Sequence, residues 1–244
     1  RNLFSTKMAT DYPDINFTPD FPRVADIASQ IWHRAGHDDV DGVISVDPVF
    51  LQRLLKVAGP VTLSDGTVMS GDNTEQRILN QIYIDTDTQA EQTDFFTMAA
   101  SEVFAHVLKN VGGKNQQLVQ TFQESVSDGH LYVWSVHEDE QRRISGTTIA
   151  GELQSKPAHS VTGVYFNDAT MGKMDWYLKR EVTSTYDKTY PSGAKQYAIH
   201  IKLTNTADAA RIRSITMPAP RSFFLLPRYI RKPRQRKNAT CKGR

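Results

Sequence analysis

Carboxylates crowd the first fifth of this chain. Asp11, Asp14 and Asp20 lie in a polar, proline-punctuated opening segment. Asp39, Asp41 and Asp47 flank a run of β-branched residues, Val43, Ile44 and Val46. If the opening segment folds against the carboxyl end of that run, Asp14, Asp20 and Asp47 converge. Such a cluster can hold a divalent cation or activate a water, with Asn16 as an orienting group. Each aspartate also has a simpler use: Asp47 as a helix cap, Asp41-Gly42 as a turn, Asp20 as a cap before Pro22. A second chemistry is apolar. Tyr83, Phe95, Phe96 and Phe104 can line a cavity between helix and sheet, or can be plain core.

Other chemistries are poorly supported. The seven histidines are scattered, without a HExxH or comparable ligand spacing. His33 and His37 stand four apart, but Gly36 ends the helix between them. There is no GxSxG elbow and no Walker loop. Cys241 is the single cysteine, which excludes an internal disulfide and a cysteine metal cage.

The elements that would position these groups are legible locally. In "GVISVDPVFLQRLLKVAGPVTL", Gly42 to Leu63, a strand ends at Asp47, a natural N-cap, and Pro48 suits the first helical turn. Leu51, Leu54, Leu55 and Ala58 share one helix face, and Gly59-Pro60 stops the helix. A hairpin follows, turning at Ser64-Asp65-Gly66. Upstream, Pro22 opens a helix with Val24, Ile27, Ala28, Ile31 and Ala35 on one face. Downstream, Asn73 or Thr74 caps a helix carrying Ile78, Leu79, Ile82 and Tyr83, which "DTDTQ" interrupts. A longer helix faces Phe96, Ala99, Ala100, Val103, Phe104, Val107 and Leu108 inward before Gly112-Gly113. Leu118, Val119, Phe122 and Val126 predict another helix, Leu131 to Val136 a strand, and "HEDEQRRI" and "TIAGEL" short helical pieces. From about Ser160 the period becomes two, in "SVTGVYFN", "WYLKREVTSTY" and "KQYAIHIKLTN". The expected architecture is α/β (α+β), a mixed sheet covered by helices, over residues 1–156. A small antiparallel β region follows over 157–207, then a basic tail over 208–244.

Charge divides the chain. From Arg211 to Arg244 there are 11 Lys plus Arg and no Asp or Glu, leaving 18 of the 29 basic residues against all 27 acidic ones, a net of −9. The body is therefore a poor nucleic-acid ligand. The tail reads as a basic segment for anionic lipid, polymer or nucleic acid, as an ordinary solvated surface, or as out-of-frame translation. A hydrophobic content of 39% and a charged content of 23% describe an ordinary soluble protein, and no apolar run approaches the roughly 20 residues of a spanning helix. The chain starts at Arg1 without an initiator Met and is expected to be an internal fragment.

Two resemblances add to this reading. "DINFTPDFP", then Val40 to Ile44 running into Asp47-Pro48, then Leu54-Leu55 before Gly59-Pro60-Val61, resemble a bacterial family known only as domain of unknown function 4012. "ILNQIYID", Phe95-Phe96, "GVYFNDATMGKMDWYL" and "LTNTA" continue the likeness over about residues 11–207. It implies an extracytoplasmic cell-envelope domain of a membrane-anchored parent, with the anchor upstream of Arg1. More remotely, "VISVDPVFLQRLLKVAGPVTL" and the segment after it are similar in outline to LytR-CpsA-Psr enzymes. Those enzymes transfer lipid-pyrophosphate-linked glycopolymers to the cell wall. They grip pyrophosphate with arginines and Mg²⁺ and seat the lipid in an apolar cavity, and bidentate guanidinium suits phosphate.

Here the arginines are not matched. They would fall near Gln81 to Asp85 and near Gln92 to Phe95, and the nearest cations, Arg53 and Arg77, are expected on solvated helix faces. Two functions stay open. One is a non-catalytic envelope domain binding a wall glycan, a polyprenyl-linked lipid or an envelope partner without a cofactor, with Asn16, Asp20, Tyr83, Phe96 and Phe104 as ligand-binding candidates. The other is a metal-dependent transferase or hydrolase, with Mg²⁺ and the catalytic candidates Asp14, Asp20 and Asp47; Asp14 and Asp20 would then be the metal ligands.

Overall fold

A computed structural model describes residues 12–153, 162–168, 174–208 and 223–225. Its centre is the strand–helix–hairpin unit. Strand β1 (Gly42–Val46) leads into α2 (Pro48–Ala58), preceded in the chain by α1 (Phe21–Arg34). Asp47 caps α2, its Oδ1 accepting the Phe50 N–H at 3.0 Å. Gly59 ends α2 at φ +92°, a conformation that suits glycine, and its N–H reaches the Leu55 carbonyl at 2.9 Å. The hairpin pairs β2 (Val61–Thr62) with β3 (Val68–Met69).

A helical run then covers α2. It comprises α3 (Thr74–Gln76), one π turn (Arg77–Gln81) and α4 (Ile82–Asp85). Gly71 lets the chain enter this run hard against α2. A Cβ there would stand 2.3 Å from Lys56 Cγ and 2.9 Å from Lys56 Cα. Next come α5 (Gln89–Asn110), α6 (Asn115–Ser127), β4 (Leu131–Ser135) and α7 (Glu138–Ile144).

The mixed α/β class is observed, but the expected single mixed sheet is replaced by small antiparallel ladders. Strand β1 pairs with β4 from Gly42↔Ser135 to Val46↔Leu131. No parallel crossover is involved; the helices between β1 and β4 return the chain in the opposite direction. This ladder separates two apolar clusters. One gathers Phe50, Leu54 and Leu55 of α2 with Leu63, Met69, Ala99, Val103 and Val107. The other packs Ile15, Phe21, Val24, Ala25 and Ala28 against Val43, Tyr132 and Trp134.

The expected inward stripe of α5 is narrower than its apolar positions. Ala99, Val103 and Val107 are buried, but Phe104 is 37% and Leu108 78% exposed. At 3.6 residues per turn these two project about 100° and 140° away from Val103, beyond what α2 can cover. Likewise α6 buries Thr121 and Ser125 while Val119 and Phe122 are exposed. Ser125 is where Arg53 docks, its Nη1 donating to the Ser125 Oγ at 3.2 Å and its Nη2 reaching Asp128 at 2.6 Å.

The later strands form two further ladders. Strands β6 (Leu178–Thr189) and β7 (Lys195–Asn205) make a long hairpin with a bulge between Tyr186 and Lys188. Strand β5 (Phe166–Asp168) pairs with β8 (Phe223–Leu225). Ser160 and Val161 of the expected first β segment, and the basic tail after Asp208 apart from β8, lie outside the described residues.

Candidate functional site

The sequence candidates separate into different surroundings. Asp14 lies in a 3₁₀ turn, Tyr12–Phe17, and its side chain is outside what the structure describes; Asn16 in the same turn is exposed. Asp20 precedes α1 without a side-chain cap bond. Its Oδ1 instead accepts the Leu153 N–H at 3.0 Å, while the Phe21 N–H donates to the Gly151 carbonyl at 3.1 Å. Asp20 thus ties the start of α1 to the end of the helical region. Asp47 is committed twice: Oδ1 caps α2, and Oδ2 lies 2.6 Å from His130 Nδ1. Asp20 and Asp47 therefore each have their own backbone or histidine partner. Among the described residues, no group of three or more His, Cys, Asp or Glu could hold a metal ion. His33 pairs with Asp39 at 2.8 Å, and His37 stacks on Trp32 with ring centroids 4.0 Å apart.

Tyr132, beside Asp47, stacks on Phe21 with centroids 5.5 Å apart. Burial pushes its phenol pKa up, helped by Tyr165 and the Asp47 charge. It stays neutral across the physiological range and serves as packing.

The structure does form a cleft of about 640 Å³, away from these aspartates. Three segments wall it. The hairpin loop supplies Ser64, Asp65 and Thr67; the π turn and α4 supply Arg77, Gln81, Ile82 and Asp85; the start of α5 supplies Glu91, Asp94, Phe95 and Met98, with Thr86 between. Each wall is held from below. The loop closes on itself through Asp65, which accepts from the Thr67 N–H at 2.8 Å and its hydroxyl at 2.9 Å. Ser64 anchors the loop to α5, donating to Glu102 from its N–H at 2.9 Å and its Oγ at 2.6 Å. The π turn carries buried Asn80, whose Nδ2 donates to the Tyr177 hydroxyl at 2.7 Å. The start of α5 is a capping box: the Glu91 N–H donates to Thr88 Oγ1 at 3.2 Å, and Glu91 Oε2 accepts the Thr88 N–H at 3.0 Å.

The cleft is acidic with an apolar floor. Asp65, Asp85, Glu91 and Asp94 face it with Arg77 as the one cation among its lining residues, and Ile82, Phe95 and Met98 supply hydrocarbon. The Thr88 N–H, then its hydroxyl and the Asp87 N–H, hold the Glu91 carboxyl below its ordinary range, so it is ionised. Of the expected apolar quartet only Phe95 lines the cleft. Tyr83 and Phe96 stand beside it with ring centroids 6.1 Å apart, and Phe104 points outward from α5. Arg77, expected on a solvated face, is half-buried in the wall. Sequence reading missed the contribution of Ser64, Asp65, Thr67, Glu91 and Asp94. The only local signals there were the Ser-Asp-Gly turn and the Thr88-x-x-Glu91 box, which announce a turn and a helix start.

These features define a mixed α/β domain with an acidic cleft between a hairpin loop and two helix segments. Residues 1–83 match the model of a family described as a protein of unknown function (DUF4012). The match spans the opening segment, α1, β1, α2, the hairpin and the helical run as far as Tyr83, and shows the family resemblance over that third of the chain. No curated protein and no solved structure matches the chain. No helix among the described residues is long and apolar enough to cross a membrane.

Proposed function

We propose that this chain is a non-catalytic, extracytoplasmic cell-envelope domain whose cleft binds a wall glycan. The family resemblance supports the envelope setting. The observation that carries the ligand class is the composition of the cleft. Gln81, Asp85 and Phe95 line it at the places where the LytR-CpsA-Psr likeness would put phosphate-gripping arginines. A pyrophosphate entering there meets four carboxylates and one guanidinium and is repelled. Sugar hydroxyls are the complementary chemistry: each can donate to Asp85, Glu91 or Asp94, and Gln81 can both donate and accept. The apolar wall of Ile82, Phe95 and Met98 suits the C–H face of a pyranose.

Calorimetric titration with a panel of ligands tests this reading. Neutral wall-glycan fragments should bind, and Asp94→Asn should weaken them about tenfold or more, the scale of one charge-assisted hydrogen bond. Tighter, Mg²⁺-dependent binding of a polyprenyl phosphate, with no glycan affinity, would overturn it.

A further inference from the structure

The ladder register sorts the side chains of the β6–β7 ribbon into two unlike faces. Pairs Val182↔Ile201, Ser184↔Ile199, Tyr186↔Tyr197 and Arg180↔Leu203 point to one side, and the alternate pairs point to the other. The second face is polar and internally satisfied: Glu181 sits 3.2 Å from Lys179 and 3.6 Å from Lys202. The first is apolar and open. Val182 is 44% exposed, Tyr186 56%, Tyr197 51%, Ile199 41% and Leu203 38%. The base of the ribbon is closed by the Thr206 N–H and hydroxyl, which donate to the Tyr177 carbonyl at 2.7 and 2.9 Å, and is tied to the helical run through the Tyr177 hydroxyl, which accepts from Asn80 Nδ2 at 2.7 Å.

A two-stranded ribbon with one greasy face is marginal alone and calls for a second layer. The chemistry of the face narrows what that layer is. Among the described residues neither ribbon edge is paired, and hydrocarbon would leave those backbone N–H and C=O groups unsatisfied, so a lipid core is a poor occupant. Val182, Ile199 and Ile201 are β-branched, the residues of a sheet-on-sheet core. The charged member of its ladder pairs, Arg180, is neutralised by Asp175, so two such faces do not repel. At about 3.4 Å per residue the ribbon is roughly 40 Å long, and a face about 10–12 Å wide gives on the order of 1,000 Å² for two copies, the lower bound of a specific interface.

We propose that this face is the contact between two copies of this chain, ribbon on ribbon about a two-fold axis, forming a four-stranded β-sandwich. The small area makes the association weak and concentration-dependent.

Sedimentation velocity of the full 244-residue chain over a concentration series tests it. The wild type should pass from monomer to dimer. Ile199→Lys should abolish the dimer, and the milder Tyr197→Ser should raise its dissociation constant about tenfold or more. Thr183→Lys, on the opposite face, should leave it unchanged. Circular dichroism confirms that each variant is folded. A wild type that stays monomeric throughout overturns the proposal, whatever the variants do. So does a dimer that survives in folded Ile199→Lys, which would place the contact elsewhere, and so does monomeric wild type captured by lipid vesicles.

Discussion

The α2 unit and the β6–β7 ribbon follow equally clear sequence patterns and end in opposite physical states. In α2 the apolar stripe is enclosed within the chain: Phe50, Leu54 and Leu55 are at most 2% exposed, and both helix ends are closed by Asp47 and Gly59. In the ribbon the alternation is just as regular, and the apolar row is 38–56% exposed at five positions. Periodicity dictates which residues share a face. It does not dictate whether the same chain supplies the surface that covers that face.

The largest contrast is expected from truncating one core side chain in each region. Leu55→Ala should lower stability by about 3–4 kcal/mol, since a fully enclosed leucine leaves a cavity. Ile199→Ala, measured at dilution where the chain is monomeric, should cost under about 1 kcal/mol, since water already reaches the site. Urea unfolding of both variants breaks the comparison if the two losses are equal. Next in size is Asp47→Ala, which removes the α2 cap and its His130 contact. Both side chains are partly exposed, so a loss of about 1–2 kcal/mol is expected.

The smallest effect concerns acid. Glu91 has a lowered folded-state pKa, so its contribution is fully present above its unfolded value and is lost as pH falls through the folded value. Thermal unfolding should therefore show a modest, Glu91-dependent decline below the ordinary glutamate range, removed in Glu91→Gln. Equal acid sensitivity in that variant would assign the decline to other carboxylates.

The elements legible in advance were those with local punctuation. Asp47-Pro48 and Gly59-Pro60 bracket α2, and Ser64-Asp65-Gly66 turns the hairpin that follows, because caps and turns depend on neighbouring residues only. The π turn was not legible. It carries Asn80, whose partner Tyr177 is 97 residues away, and a tertiary hydrogen bond leaves no trace in helical periodicity. Phe104 and Leu108 misled for the related reason that a periodic stripe can be wider than its cover. The cleft was hidden twice over. It needs three separate segments to meet, and its carboxylates had local explanations as turn and cap residues. Of the aspartates that looked functional, Asp20 accepts the Leu153 N–H, a tertiary bond, and Asp47 accepts the Phe50 N–H as a helix cap.

The central claim is that the cleft, and neither the opening aspartates nor the ribbon, is the ligand site. Mapping amide chemical shifts of the isotope-labelled chain during titration with a neutral wall-glycan fragment tests it most directly. The account predicts perturbations confined to Ser64–Thr67, Arg77–Thr86 and Glu91–Met98. Perturbations centred on Asp20, Asp47 and His130, or none at saturating glycan, would contradict it.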